Sequence, residues 1–133
     1  MTTDLERNKV NAMAFYDMMF NQSRPREAVE RFTGADYIQH NPDVATGKAA
    51  FIAYFEDLAR DYPGKHVTFM RAIAEGNLVV LHCHQVLPGS ASDDASEWAG
   101  IDIFRFDTAG KIVEHWDVLQ PVPEKMAHSN GMF

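Results

Sequence analysis

Apolar side chains recur along the chain at two spacings, and the change from one to the other divides it into a helical first half and a stranded second half. Behind Thr3 and Glu6, which have the spacing of a capping box, Val10, Ala14 and Met18 alternate with Met13, Tyr16 and Phe20 at steps of three and four, which predicts a first helix with a wide apolar face. Ser23 followed by Pro25 opens a shorter second helix through Ala28, Val29 and Phe32, with Gly34 where a left-handed cap would end it. Tyr37-Ile-Gln-His-Asn-Pro is too short and polar for a helix, and Pro42 biases Asn41 toward extended geometry, so this stretch reads as a short strand or rim. A third helix starts near Gly47, carries Phe51, Tyr54, Phe55 and Leu58 on one stripe, and stops at Tyr62-Pro63-Gly64.

Beyond Gly64 the period falls to two, with strand-like runs at about 66–75, 78–87, 97–106 and 111–119. Glu75-Gly76-Asn77 and Asp107-Thr-Ala-Gly110 are turn-forming, and Pro88 to Ser96 is a polar loop. Helices followed by an antiparallel sheet predict an α+β fold with the helices packed on one face. If Phe106 and Lys111 close the last hairpin, Asp102 stands opposite His115 and Gly100 opposite Asp117. Period two then gathers Trp98, Asp102, Phe104, Val113, His115, Asp117 and Leu119 on one face, and Ile101, Ile103, Arg105, Ile112, Glu114, Trp116 and Val118 on the other. Both faces are partly apolar, so the pattern leaves open which of them is inside.

Two carboxylates and an imidazole among apolar neighbours would cost several kcal/mol to bury unless they paired with one another. As a surface pair, Asp102 and His115 would contribute less than about 1 kcal/mol and mean nothing chemically. As the lining of a pocket they form an acid–base site, because desolvation raises a carboxyl pKa and a neighbouring imidazolium lowers it, and a base so poised can take a proton from carbon beside a carbonyl. Elsewhere, Gly76 followed by His82-x-His84 is similar to the first part of a cupin metal motif, but Pro88 and Gly89 stand where its glutamate belongs, so no metal is expected. The plain reading of His82 and His84 is a strand pair facing solvent or a dimer partner. His66 and His128 read as surface residues, Cys83 as packing, and the seven methionines as core filler. A Gly-rich phosphate loop and a G-x-S-x-G elbow are both missing.

The 133 residues fit one domain, spanning 1–133. Twelve Lys and Arg against nineteen Asp and Glu give a net charge of −7, the wrong sign for nucleic acids or anionic membranes. No apolar run approaches the roughly 20 residues that span a bilayer. With one cysteine and no basic, apolar leader at the N-terminus, a reducing, cytoplasmic setting is the default expectation.

The order of elements, with Tyr37-Ile-Gln-His-Asn-Pro, Ile101-Asp-Ile-Phe-Arg-Phe and Gly110-Lys-Ile-Val-Glu-His-Trp-Asp-Val-Leu-Gln, resembles the SnoaL-like polyketide cyclases of the nuclear transport factor 2-like superfamily. Pro121-Val-Pro and Asn130-Gly-Met-Phe are similar to a bacterial subgroup regarded as aldol-condensation enzymes. The resemblance implies a cone: a strongly curved antiparallel sheet wrapped around the N-terminal helices, enclosing a deep apolar pocket, in a homodimer joined through the sheets. It implies an acid–base role for Asp117, a proton-donating carboxyl at Asp102 and a donor tyrosine at Tyr16, with His115 assisting. The steroid isomerases of the same superfamily carry their base just before a proline, and here that residue is Asn41, which cannot take a proton. His40, Asn41, Trp98, Phe104 and Leu119 would contact substrate. The implied function is a cofactor-independent cyclase or isomerase acting on a small hydrophobic carbonyl compound. The alternative is a non-catalytic ligand-binding or dimerisation module of the same fold.

Overall fold

A computed structural model describes residues 3–89 and 96–133, so most of the loop expected between Pro88 and Ser96 lies outside the described residues. Helix α1 spans Asp4–Tyr16, with Thr3 Oγ1 accepting from the Glu6 backbone N–H at 3.1 Å, and runs on into a single π-helical stretch, Asp17–Asn21. Helix α2 is Pro25–Phe32 and α3 is Lys48–Asp61, the latter entered through Gly47 at φ 99°. Strands β1 (Thr33–Gln39), β2 (His66–Glu75), β3 (Leu78–Leu87), β4 (Ser96–Phe106) and β5 (Ile112–Pro121) form one curved, unclosed sheet in the order β1-β5-β4-β3-β2. Phe15, Phe20, Phe51, Phe104, Phe106, Leu81 and Ile112 are fully or almost fully buried, forming a core between the helices and one face of the sheet.

Several expectations are corrected. The segment read as a rim starts earlier, at Thr33, and pairs parallel to β5, so the sheet is mixed rather than wholly antiparallel. Gly34 therefore does not cap α2. It lies where β1 presses on the last hairpin, and an added Cβ would sit 2.8 Å from both Asp107 Oδ2 and Val113 Cγ1. Ser23 is not an N-cap either: its φ is 54°, Arg24 occupies the cap position, and Ser23 Oγ accepts from Lys65 Nζ at 2.9 Å.

The β4–β5 register also differs from expectation. Asp102 faces Asp117, Phe104 faces His115 and Gly100 faces Leu119, two residues away from the expected pairing. The cause is local. Asp107 Oδ1 accepts the Ala109 and Lys111 backbone N–H groups at 2.9 and 3.0 Å, which winds a longer turn, and the register shifts between Arg105 and Phe106. Because the displacement is even, the faces survive, except beside the bulge, where Ile112 turns into the core and Val113 leaves the expected set.

The close approach at Gly34 gives a first prediction. Gly34→Ala should destabilise the fold by about 1–3 kcal/mol, since the carboxylate it strikes also organises the turn. Urea denaturation checks this, and an unchanged midpoint would contradict the account of β1 packing.

Candidate active site

The inner face of the sheet, the first helical segment, α3 and the stretch Asn41–Val44 surround a cavity of about 480 Å³ that opens to solvent. Its wall is mostly aromatic and aliphatic: Phe15 and Phe20 from the first helical segment, Phe51 and Phe55 from α3, and Trp98, Phe104 and Leu119 from the sheet. Into this wall the last two strands turn Asp102, His115 and Asp117. Asp102 is 1% exposed and His115 6%. Period two places all three on one face, and the curvature of the sheet puts that face inside.

His115 Nε2 lies 2.8 Å from Asp102 Oδ1 and 3.9 Å from Asp117 Oδ2, and His115 Nδ1 lies 2.8 Å from Gln39 Oε1. Directly opposed, Asp102 and Asp117 would repel if both were charged with no cation beside them. The imidazole answers that repulsion. One proton lies in the Nε2···Oδ1 contact, either as imidazolium facing carboxylate or as imidazole facing carboxylic acid. Asp117 is held from the other side: Asn41 Nδ2 donates to both of its oxygens at 2.9 Å, while Asn41 Oδ1 accepts the Asp43 N–H at 2.8 Å and so fixes the amide's orientation. Burial pushes the Asp117 carboxyl above the ordinary aspartate value, with the Asp102 and Asp43 charges adding to it, while His115 and the Asn41 amide pull the other way.

Tyr16 ends α1 against this wall, and the Gln85 amide donates to its hydroxyl oxygen, leaving the phenolic proton free. Burial, aided by the Asp102 charge, pushes that phenol well above its usual range, which keeps it a donor. Tyr37 is raised for the same reasons. Tyr37 Oη and Asp102 Oδ2 are buried with no hydrogen-bond partner among the described residues. Cys83, fully buried behind Asp102, has its thiol pushed up by burial and that carboxylate, which disfavours the thiolate.

Asp102, His115 and Asp117 each offer an atom within 4.8 Å of the others, the one such cluster among the described residues. Both Asp117 oxygens receive the Asn41 amide, and His115 Nε2 is engaged with Asp102.

Of the residues singled out in the sequence, Asp102, His115, Asp117, Tyr16, Asn41, Trp98, Phe104 and Leu119 meet in this cavity. His40 does not. Its ring stacks on Trp116 at 4.9 Å and bonds Glu114 at 2.8 Å on the other side of the sheet, because alternation from Tyr37 and Gln39 turns it outward. His82 and His84 also face outward, stacked against Phe133 at 5.7 and 4.1 Å. Gln39, Gln85 and Tyr37 escaped notice. The available signal was a polar group at an inward strand position: Gln85 two residues from Cys83, and Gln39 two from Tyr37.

The family profile described as SnoaL-like domain matches residues 12–115, from within α1 into β5, which includes Tyr16, Asp102 and His115 and stops short of Asp117. The chain belongs to the SnoaL-like domain family. Its α+β architecture is that of the nuclear transport factor 2-like superfamily. Similar solved structures include AclR from Streptomyces galilaeus, described as a candidate hydroxylase, at 19% identity and TM-score 0.72 over 87% of this chain and 90% of that one. TsrD from Streptomyces laurentii is 23% identical with TM-score 0.68, covering 80% and 84%. A candidate polyketide cyclase from Acidithiobacillus ferrooxidans is 16% identical with TM-score 0.74, covering 89% and 91%. At these identities the likeness shows the SnoaL-like fold alone. No curated protein matches the sequence significantly. Among the described residues, no helix is long and apolar enough to cross a membrane.

Proposed function

We propose that this SnoaL-like protein is a cofactor-independent acid–base enzyme that enolises a small hydrophobic carbonyl compound, in the manner of an aldol-type cyclase or an isomerase. The observation that carries the reading is Asp117: a carboxylate with a raised pKa, oriented by Asn41, in the wall of an open cavity lined by aromatic rings. A cavity of about 480 Å³ lies within the usual range for small-molecule sites, and it is not filled by its own Phe and Met side chains, as a module that only dimerises would allow.

In this mechanism the ligand's apolar body packs on Phe51, Phe104 and Trp98. Asp117 removes the α-proton, and its raised pKa brings it nearer to neutral pH, where a general base is most effective. The Tyr16 phenol donates to the developing enolate oxygen, a preorganised donor in a site of low polarity. The proton that Asp102 shares with His115 offsets the charge that would otherwise accumulate beside Asp117. Exposed Ile73 and Ile101 on the outer sheet face are consistent with two copies pairing through their sheets.

The test is hydrogen–deuterium exchange at the α-carbons of 2-tetralone, a bicyclic ketone, followed by NMR in D2O. The protein should accelerate exchange with a rate that rises with pH through a limb set by Asp117; a rate no greater than that of free carboxylate at equal concentration contradicts the proposal. Asn41→Ala sharpens the test. The amide favours the charged form of Asp117, so its loss should raise the carboxyl pKa further and move the acid limb to higher pH. A limb that stays in place or moves to lower pH would show that Asp117 is not the base being observed.

A further inference from the structure

One amide oxygen behind the His115 ring does three things at once. Gln39 Oε1 accepts from His115 Nδ1 at 2.8 Å, from the His40 backbone N–H at 3.0 Å and from the Asn41 backbone N–H at 3.0 Å. Backbone N–H groups can only donate, so the atom they meet is the carbonyl end of the amide, and the ring nitrogen facing it must carry a proton as well. The contact follows from the topology: Gln39 and His115 are register partners in the parallel β1–β5 pair. Just after Gln39, the chain leaves the sheet at His40 and Asn41, the latter supplying the amide that holds Asp117.

We infer that Gln39 is the positioning residue of the site: by accepting from His115 and from the backbone of Asn41 through one oxygen, it fixes which imidazole nitrogen faces Asp102 and ties that choice to the placement of Asp117. The inference rests on the proton-transfer reading for its consequence but not for its geometry. With Nδ1 committed to Gln39, Nε2 is the only ring nitrogen left to exchange a proton with Asp102. Without the acceptor, a neutral ring is free to carry its proton on Nε2 and donate it permanently to Asp102, and the site loses its choice between imidazolium–carboxylate and imidazole–carboxylic acid. The charged and titratable groups facing the ring are Asp102 from β4, Asp117 from β5 and the Tyr37 phenol from β1, whose ring stacks on it at 6.4 Å. None of these offers Nδ1 a second acceptor.

The experiment is ¹⁵N NMR of the His115 ring in the wild-type protein and in Gln39→Leu and Gln39→Glu, with 2-tetralone exchange measured in parallel. In the wild type, Nδ1 should carry the proton when the ring is neutral. Gln39→Leu should shift the neutral ring to the Nε2–H form and lower kcat for exchange by about 10²-fold with little change in KM, the size of effect expected from misplacing a catalytic group by about 1 Å. Gln39→Glu restores an acceptor and should restore the Nδ1–H form. A wild-type ring whose neutral form is protonated on Nε2 overturns the inference without any variant, and so does an unchanged tautomer in Gln39→Leu. If the tautomer follows residue 39 but no ketone is exchanged, the positioning role stands and the enolising reading fails.

Discussion

Asp117→Asn should lower α-proton exchange by on the order of 10²–10⁴-fold while the protein stays folded. The asparagine keeps the shape of the side chain and an acceptor for the Asn41 amide but cannot take a proton. Stability should move the other way. Burial raises the Asp117 carboxyl above the 3.8 of a free aspartate, so the native state binds this proton more tightly than the unfolded chain does. Unfolding free energy therefore falls as pH rises from about the unfolded value through the folded one, and the loss persists at neutral pH. A neutral asparagine does not carry that penalty, so Asp117→Asn should be at least as stable as the wild type at pH 7 and should lose the advantage in acid. Thermal melting at both pH values, beside the exchange assay, checks the pair of outcomes. A variant that melts well below the wild type at pH 7 would make Asp117 a structural residue.

The second large effect is on folding. Asp102 and His115 are both nearly inaccessible and face each other at 2.8 Å. Asp102→Ala leaves the imidazole buried without its partner, a change that should cost about 3–5 kcal/mol near neutral pH, where breaking a buried pair exposes the full desolvation penalty of the remaining member. Replacing both, as Asp102→Leu with His115→Phe, should recover most of that loss, because the surrounding wall is already aromatic and aliphatic. Urea denaturation of the single and double variants measures the coupling. If the double variant is as unstable as the single one, the pair stabilises the fold outright. Recovery would mean that the pair is retained at some expense to packing, which is what a site kept for its chemistry requires.

Legibility in the sequence followed how local each cause was. The three helices and β2 to β5 are legible because their apolar periods lie within the segments themselves: Phe51, Tyr54, Phe55 and Leu58 make a stripe, and His66–Glu75 and Leu78–Leu87 flank Gly76-Asn77. Strand β1 was not readable beyond its end. Thr33-Gly-Ala-Asp is poor in strand formers and is held extended by its parallel neighbour β5, a contact far away in sequence. The gathering of Asp102, His115 and Asp117 on one face was visible in the alternation, and their exact pairing was not, since a single bulge beside Arg105 moved the register. Which face is inside depends on the curvature of the whole sheet, to which no short stretch of residues testifies. The resemblance puts His40 in the pocket, whereas the same alternation, applied from Tyr37, turns it away.

The central claim is that Asp117 is a desolvated carboxylate serving as the base of the pocket. Its own titration tests this most directly, followed by the ¹³C shift of its carboxyl carbon in aspartate-labelled protein and assigned by its loss in Asp117→Asn. The expected midpoint lies above that of free aspartate, coincides with the acid limb of ketone exchange and moves when 2-tetralone fills the cavity. A midpoint at or below the ordinary value, indifferent to the ketone, would contradict it.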